Sequence, residues 1–273
     1  MDRMRCAVLA LSVVGCNQIY GLDPTQVRDL EPTECSTIQF GPPMSLAQFD
    51  DNGVKEFDAQ LSADGKELWF ITIPGPLYVL HRGVWNDRTG EFDVVDVTPI
   101  ADSGITEPAL TADGRRLMFV GDRNGTVVFE GVRADPDAGM FDSVRVVVGL
   151  EAGVESLDLS WDGLRIYYTV KGSGELWTAA RPARDEPFGT ATLLFDGAIY
   201  PSVSPDELEV FYNHHDTPNP LYRRTRPDRA RPFGPEALVL DEGEDPDVAP
   251  TSDTMIVARN NGLSLMHRVC PGK

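Results

Sequence analysis

The stretch LSADGKELWF, residues 61–70, recurs along the chain and decides its fold. Its relatives are LTADGRRLMF (110–119), LSWDGLRIYY (159–168), VSPDELEVFY (203–212) and PTSDTMIVAR (250–259). The aspartates of the five copies, which are Asp64, Asp113, Asp162, Asp206 and Asp253, lie 49, 49, 44 and 47 residues apart. Near-constant spacing over five copies predicts a repeat architecture with about 48 residues per unit.

Each copy has the pattern of a four-stranded antiparallel sheet. An x-Asp-Gly turn joins two β-branched or aromatic strands, since Asp bonds nearby amides and Gly supplies the positive φ of a hairpin. A third strand ends in arginine, at Arg82 in the first copy, and a fourth begins with phenylalanine, at Phe92. Four strands per repeat of this length are typical of a β-propeller. The sequence therefore predicts an all-β fold, a five-bladed β-propeller of four-stranded blades.

The fourth strand of the last blade is absent from the end of the chain, because Lys273 follows closely after the third strand. The missing strand is FGPPMSLAQF, residues 40–49, which begins with the same Phe-Gly pair as the outer strands at Phe188 and Phe233. An open ring would expose strand edges and fray its terminal blades. We therefore expect residues 40–49 to pair with the last blade and close the ring.

Two cysteines flank this closure. Cys35 lies five residues before Phe40, and Cys270 lies two residues after Arg268. Outer and third strands run antiparallel, so both cysteines fall at one corner of the seam, and an exported protein permits a disulfide between them. The alternative is a pair of free thiols.

The repeats LSADGKELWF and LTADGRRLMF resemble the PD40, or WD40-like, repeat of TolB-type propellers and many exported bacterial proteins. The resemblance covers residues 40–270 in five copies; the fourth copy has Glu207 in place of the turn glycine, and the fifth lacks both the glycine and the aromatic pair. It implies a β-propeller in an exported bacterial protein. TolB-type propellers have six blades and an additional N-terminal domain, so the resemblance does not transfer a particular partner.

The N-terminal residues 1–15, MDRMRCAVLALSVVG, have a basic start, a short apolar run and a small residue before Cys16. This arrangement is typical of a secretory signal, and the run is shorter than the roughly 20 residues of a membrane span. VVGC resembles a bacterial lipobox, which implies lipidation of Cys16 and, with Asn17 after it, the outer membrane, facing periplasm or cell surface. The alternative is a buried first strand. Residues 16–39 are polar and aperiodic and are interpreted as a tether, and residues 40–273 as the propeller.

The chain of 273 residues carries a formal net charge of −19. Such a charge repels phosphate backbones, so nucleic acid is not expected as a partner. We expect a monomer that contacts the membrane through its lipid.

A set of polar residues begins the innermost strands, six residues before each repeat aspartate: Asp58, Glu107, Ser156, Tyr200 and Asp247. These strands surround the channel of a propeller, so the set is a candidate ligand site at the channel mouth. It could hold a cation or a polyol, or provide paired carboxylates for glycoside hydrolysis. The alternatives are a solvated acidic funnel, or carboxylates that cap neighbouring backbone amides.

Two further segments suggest metal binding. DEGEDPD, residues 241–247, has the carboxylate density of a calcium site, although we favour a solvated loop. His214, His215 and Asp216 share one loop, but adjacent histidines on extended backbone point to opposite sides, and His81 and His267 lie elsewhere. No metal site and no cofactor are therefore predicted, with calcium as the alternative.

No nucleophile elbow, P-loop, dinucleotide fingerprint or Cys-x-x-Cys pair is present in the sequence, so no catalytic residue is assigned. The sequence predicts a lipid-anchored, non-enzymatic binding or scaffold module of the cell envelope, with a protein as the expected partner and envelope glycan second. The alternative is a glycan-binding protein or glycoside hydrolase that uses the channel-mouth carboxylates.

Overall fold

The computed structural model describes residues 39–49, 54–73, 78–96, 105–122, 126–139, 141–150, 153–249 and 253–269. Cys16, Cys35, Cys270 and the tether lie outside these residues. Within them, 21 strands form five antiparallel sheets, and the one helical element described is a 3-10 turn at Ala47–Phe49. No helix of this part of the chain is long and apolar enough to cross a bilayer. The predicted five-bladed, all-β propeller is confirmed.

Each of the first four blades runs in chain order from the channel outward. Blade one contains β3 (Glu56–Leu61), β4 (Glu67–Thr72), β5 (Val79–Asn86) and β6 (Glu91–Asp96). Blade two contains β7 (Ile105–Leu110), β8 (Arg116–Asp122), β9 (Thr126–Val132) and β10 (Ser143–Val146). Blade three contains β11 (Val154–Leu159), β12 (Arg165–Val170), β13 (Glu175–Ala180) and β14 (Thr192–Asp196). Blade four contains β15 (Ala198–Val203), β16 (Glu209–His214), β17 (Thr217–Thr225) and β18 (Ala237–Leu240).

Blade five joins the two ends of the chain. Its inner strands are β19 (Glu244–Val248), β20 (Thr254–Arg259) and β21 (Gly262–Val269), and its outer strand is split into β1 (Gln39–Phe40) and β2 (Met44–Ser45). Phe40 pairs with Arg268, and Met44 pairs with Leu265. The split strand is antiparallel to β21, so the prediction that residues 40–49 close the last blade is confirmed.

The Phe-Gly pairs make the same contact in three blades. The Gly41 amide donates to the His267 carbonyl at 2.8 Å, just as Gly189 donates to Ala180 and Gly234 to Thr225. The preceding phenylalanines stack under an arginine guanidinium: Arg268 over Phe40 at 5.0 Å, Arg181 over Phe188 at 4.7 Å, and Arg226 over Phe233 at 4.5 Å. Phe40 therefore occupies the position of a blade's outer strand in its side-chain contacts as well as in its backbone pairing.

Blade one departs from the predicted arginine pattern. In blade three, the Arg181 amide donates to the Leu164 carbonyl in the turn between the first two strands, and an arginine does the same in blades two, four and five. In blade one, Trp85 takes this position, and its amide donates to the Lys66 carbonyl. Trp85 packs edge-on against Phe92 at 5.1 Å, in place of the cation–π contact. Arg82, three residues earlier, pairs instead with Glu67 of its own blade. The expectation that all five third strands end in an equivalent arginine is thus wrong for blade one.

The x-Asp-Gly turns form as predicted. In blade three, the Ser160 hydroxyl donates to Asp162 at 2.6 Å and accepts the Arg165 amide at 2.9 Å, which fixes both ends of the turn. The same pair of contacts occurs at Ser62, Thr111 and Ser204. Glu207 takes the place of the turn glycine with φ of 60°, so blade four keeps the turn at the cost of a left-handed non-glycine residue.

Candidate functional site

The five innermost strands, β3, β7, β11, β15 and β19, converge on the channel, and each carries a register irregularity near its beginning. In four of them a non-glycine residue with positive φ occupies the irregularity: Asp58 (47°), Glu107 (53°), Tyr200 (54°) and Asp245 (50°). A bulge bends the strand and redirects the side chain of the extra residue. All four side chains line one cavity at the channel mouth.

Blade five has a different register from the one that its aspartate predicts. Val248 pairs with Met255 just as Leu61 pairs with Leu68 in blade one. Counting back three residues from Val248, as from Leu61 to Asp58, reaches Asp245. Asp245, and not Asp247, is therefore the blade-five member of the set, and sequence reasoning missed it.

A proline could have revealed this register. Each of Glu107, Tyr200 and Asp245 is followed by proline, at Pro108, Pro201 and Pro246. A bulge removes the ladder hydrogen bond that proline is unable to donate, so proline is tolerated there inside a sheet. Aligning these acid-proline and tyrosine-proline pairs would have placed Asp245 correctly.

The central group of the site consists of Asp58, Glu107 and Asp245, which we call the mouth cluster. One carboxylate oxygen from each lies within 4.8 Å of the others. The three residues are only 7%, 9% and 7% exposed, respectively. The cavity they line with Tyr200 has a volume of about 30 Å³. This volume admits one or two water-sized species, since each needs roughly 10–15 Å³, and it is too small for a sugar ring.

The carboxylates of the mouth cluster also accept backbone amides from the next blade. The Glu107 amide donates to Asp58 Oδ2 at 3.0 Å. In the same way, the Leu157 amide donates to the Glu107 carboxylate, and the Asp58 amide donates to the Asp245 carboxylate. Ser156 makes the equivalent contact to the Tyr200 amide at 3.0 Å. Its hydroxyl also bonds Thr169, at 2.6 Å, and it does not line the cavity. The predicted capping of backbone amides and the predicted convergence on one pocket are thus both present.

Burial and mutual repulsion weaken the acidity of the mouth cluster. Burial raises the pKa of Asp58 to about 6, against the lowering effects of the Glu107 amide and Lys55. Burial and then the neighbouring carboxylates hold the pKa values of Glu107 and Asp245 well above their ordinary range. Among the described residues, no lysine or arginine forms an ion pair with any of the three. The negative charge that these groups carry when ionised therefore has no direct ion-pair partner among the described residues.

A second ring of side chains lies two residues further along the innermost strands, and it joins neighbouring blades. Asp247 Oδ2 accepts the Leu61 amide at 3.1 Å, so it bonds blade five to blade one. Asp158 accepts the Val203 amide at 2.7 Å. Gln60 and Ser202 bond the amides of the following blades in the same way. The predicted site residue Asp247 lines the same cavity as the mouth cluster, but its carboxylate accepts hydrogen bonds from the Leu61 amide and the Gln60 side chain.

Asp158 gives the ring a pH dependence. Burial raises the pKa of Asp158 to about 7, although two amides donate to its carboxylate. The unfolded state releases this proton near pH 4, so ionisation destabilises the folded state progressively between about pH 4 and pH 7. In the wild type, this ionisation lowers the free energy of unfolding by up to roughly 4 kcal/mol, at about 1.36 kcal/mol per pKa unit. We expect Asp158→Asn to abolish this part of the pH dependence. Urea unfolding from pH 4.5 to 8 measures it.

The matched control is Asp162→Asn in the turn of the same blade. Partial burial raises the pKa of Asp162, but the hydrogen bonds from Ser160 and the Leu164 amide outweigh burial, so the net pKa is lowered. Protonation of Asp162 therefore destabilises the protein on acidification and not as the pH rises. Unfolding free energies of Asp158→Asn that fall with pH as steeply as those of the wild type would contradict the assignment.

A larger opening lies beside the mouth cluster, at the junction of blades five and one; we call it the seam cleft. Its volume is about 290 Å³, and its lining includes Lys55, Glu244, Arg259, Asn260 and Asn261. The two asparagines form the β20–β21 hairpin turn with φ of 54° and 64°, as a two-residue primed turn requires. Lys55 and Glu244 pair at 3.2 Å between the cleft and the mouth cluster.

The histidine loop of blade four lies apart from the mouth cluster. His214 contacts Glu236 at 3.1 Å, and His215 contacts its neighbour Asp216 at 3.3 Å. Within the described residues, the mouth cluster is the one group of three or more potential metal ligands that converge. The structure therefore brings Asp58, Glu107 and Tyr200 together, adds Asp245, and leaves the histidine loop outside.

Neither a protein-family model nor a curated protein matches the chain. Solved structures match in fold. TolB from Acinetobacter baumannii has a TM-score of 0.52 and 13% identity over 78% of this chain and 54% of TolB, so the chain spans about half the length of TolB. A luciferin-regenerating enzyme has a TM-score of 0.51 and 11% identity over 85% of this chain and 96% of its own. Regucalcin from Agrobacterium tumefaciens, a calcium-binding protein, has a TM-score of 0.51 and 13% identity over 78% of this chain and 89% of its own. These likenesses show a shared β-propeller fold.

Proposed function

We propose that this protein is a non-enzymatic binding module of the bacterial cell envelope, which recruits a protein partner through its channel-mouth face. A lipid on Cys16 holds the module at the outer membrane, residues 16–39 serve as the tether, and a Cys35–Cys270 disulfide fastens the ring. The sequence pattern of residues 1–16 supports the anchor, and the pairing of Phe40 with Arg268 supports the position of the disulfide.

The observation that carries the proposal is the seam cleft. It is open on the channel-mouth face and is rimmed by polar side chains of both charges, with Asn260 exposed at its edge. Arg259 lines the cleft, and its guanidinium is held only by a long pairing with Glu242, at 3.6 Å, among the described residues. Groups of this kind at the edge of a rigid ring are suited to hydrogen-bonding an extended polar peptide.

The geometry of the mouth cluster argues against the glycoside hydrolase alternative. Two carboxylates with raised pKa values resemble a general acid and its partner, which favours this alternative. The cavity of about 30 Å³ between them is nevertheless too small for a sugar ring, and each carboxylate accepts a backbone amide. A glycan would have to stay above the carboxylates, in or near the seam cleft.

Site-directed photo-crosslinking in membranes of the native host tests the proposal. A crosslinking amino acid at position 260 is expected to yield one predominant protein adduct, because Asn260 lies on the rim of the seam cleft. The matched control is position 87, an exposed residue in the β5–β6 turn on the opposite face. Arg259→Ala is expected to weaken the adduct at position 260 by roughly 10-fold, by removing a charged donor.

Three results would count against a protein partner at this face. The first is equal labelling from positions 260 and 87, and the second is an adduct from position 260 that Arg259→Ala leaves unchanged. The third is an adduct that glycan hydrolases remove and proteases do not, which would favour the glycan-binding alternative.

A further inference from the structure

We propose that the mouth cluster, Asp58, Glu107 and Asp245, binds one divalent cation of the hard, oxygen-preferring class, with calcium as the best fit. The inference goes beyond the proposed function, because it assigns a ligand to the channel itself and holds whether or not a partner docks at the seam cleft.

The three carboxylates are held in position for a shared ligand. Each comes from a different blade and is placed at the channel by a bulge residue with positive φ. Each also accepts a backbone amide, which fixes its orientation from outside the cavity. One oxygen from each side chain lies within 4.8 Å of the others, which is the spread that a single ion can bridge.

One buried carboxylate oxygen of the mouth cluster has no hydrogen-bond donor among the described residues. Asp245 Oδ1 is buried and accepts no hydrogen bond from the described residues, although Asp245 is 7% exposed overall. A buried carboxylate oxygen without a donor is costly, and such a group calls for an unseen partner. Asp245 lines the cavity, so a cation there would satisfy this oxygen.

The charges around the cavity point to a cation and not to water alone. The three carboxylates bring up to three negative charges, and Lys55, the cation that acts on Asp58 and Asp245, is engaged with Glu244 at 3.2 Å.

The size and chemistry of the site select the class of ion. Calcium takes oxygen ligands at about 2.3–2.6 Å in flexible geometry, whereas magnesium demands near-octahedral bonds of about 2.0–2.1 Å. Oxygens separated by up to 4.8 Å fit the longer bonds, and the cavity of about 30 Å³ leaves room for the ion and one water. The phenol of Tyr200 closes part of the same cavity. The described ligand set contains no nitrogen or sulfur atom.

Calcium titration of the full chain tests the inference. The protein is purified in detergent, freed of divalent cations with a chelator, and titrated with calcium by calorimetry. We expect saturable uptake of one ion per chain. Asp245→Asn is expected to weaken binding at least about 100-fold, since it replaces a charged ligand. Glu107→Gln is expected to have the same effect.

The matched control is Glu242→Gln, an exposed acid of the same segment, which is expected to change the affinity less than about threefold. Both cluster variants remove a repelling charge, so circular dichroism and thermal melting without calcium should show folded protein. Absence of stoichiometric uptake by the wild-type chain up to about 10 mM calcium would overturn the inference. Retained uptake in Asp245→Asn and Glu107→Gln, or loss in Glu242→Gln, would overturn it as well. Stronger binding of magnesium than of calcium would refute the assignment of calcium.

Discussion

Replacing Glu130 with glutamine is expected to lower the free energy of unfolding by about 3–5 kcal/mol, the usual cost of breaking a buried ion pair from one side. Glu130 is fully buried between blades two and three. Its Oε1 accepts Arg181 at 2.8 Å, and its Oε2 accepts Arg145 at 2.5 Å and Arg116 at 3.3 Å. The charge of one carboxylate thus compensates three guanidinium groups.

Glutamine keeps the volume of Glu130 but not its charge, so the loss isolates the electrostatic contribution. The substitution leaves Arg181 as an unpaired buried charge, because its side chain is only 2% exposed and pairs with no second carboxylate among the described residues. Its Nε already donates to the Gly163 carbonyl at 2.8 Å. We expect urea unfolding to show a lower midpoint with an unchanged slope, since the surface exposed on unfolding is the same.

The matched control for this prediction is Asp185→Asn. Asp185 contacts two of the same arginines, Arg116 at 2.8 Å and Arg145 at 3.5 Å, but its side chain is 76% exposed. Water screens such a pair, so the midpoint should barely change. Equal effects of Glu130→Gln and Asp185→Asn would show that burial of the carboxylate does not determine its contribution.

The architecture could be predicted from the sequence because turn chemistry and repeat length are local properties. The turn that Ser160 and Asp162 form recurs in blades one, two and four, and the fifth copy keeps the spacing of a blade although its aspartate is displaced. The closure of the ring could also be predicted, because Phe40-Gly41 repeats the Phe-Gly pair that begins the outer strands at Phe188 and Phe233. These inferences needed only short local patterns and the spacing between their copies.

The register of individual residues was harder to predict, because it depends on strand pairing and not on spacing along the chain. Asp253 looked like a turn aspartate, yet Val248 pairs with Met255, which shifts blade five by two residues and brings Asp245 to the mouth. Likewise Arg82 looked like the arginine that ends a third strand, but β5 continues to Asn86.

The candidate site was only partly predictable for a related reason. Sequence placed Asp58, Glu107 and Tyr200 at the starts of innermost strands, but spacing alone does not show which way a bulged side chain points. The positive φ of Glu107 turns its side chain into the cavity, whereas Ser156 lacks this conformation and bonds Thr169 instead. Burial, which determines the pKa values, also depends on all five blades together.

A loss of stability of similar size is expected when the closing strand is removed. A chain that begins at residue 46 lacks β1 and β2, and therefore loses the Phe40–Arg268 cation–π contact, the Phe40–Phe211 edge contact at 5.6 Å and the Gly41–His267 hydrogen bond. We expect a loss of about 3 kcal/mol or more, from a Phe removal and unpaired strand edges. The matched control begins at residue 39, so that both chains lack Cys35 and the tether.

The difference in thermal midpoint between these two chains tests the head-to-tail closure of the ring most directly. We predict a midpoint lower by about 6–12 °C for the chain that begins at residue 46, at about 2–4 °C per kcal/mol for a protein of this size. We also expect it to self-associate through the exposed edge of β21. Equal midpoints for the two chains, both monomeric, would contradict the account.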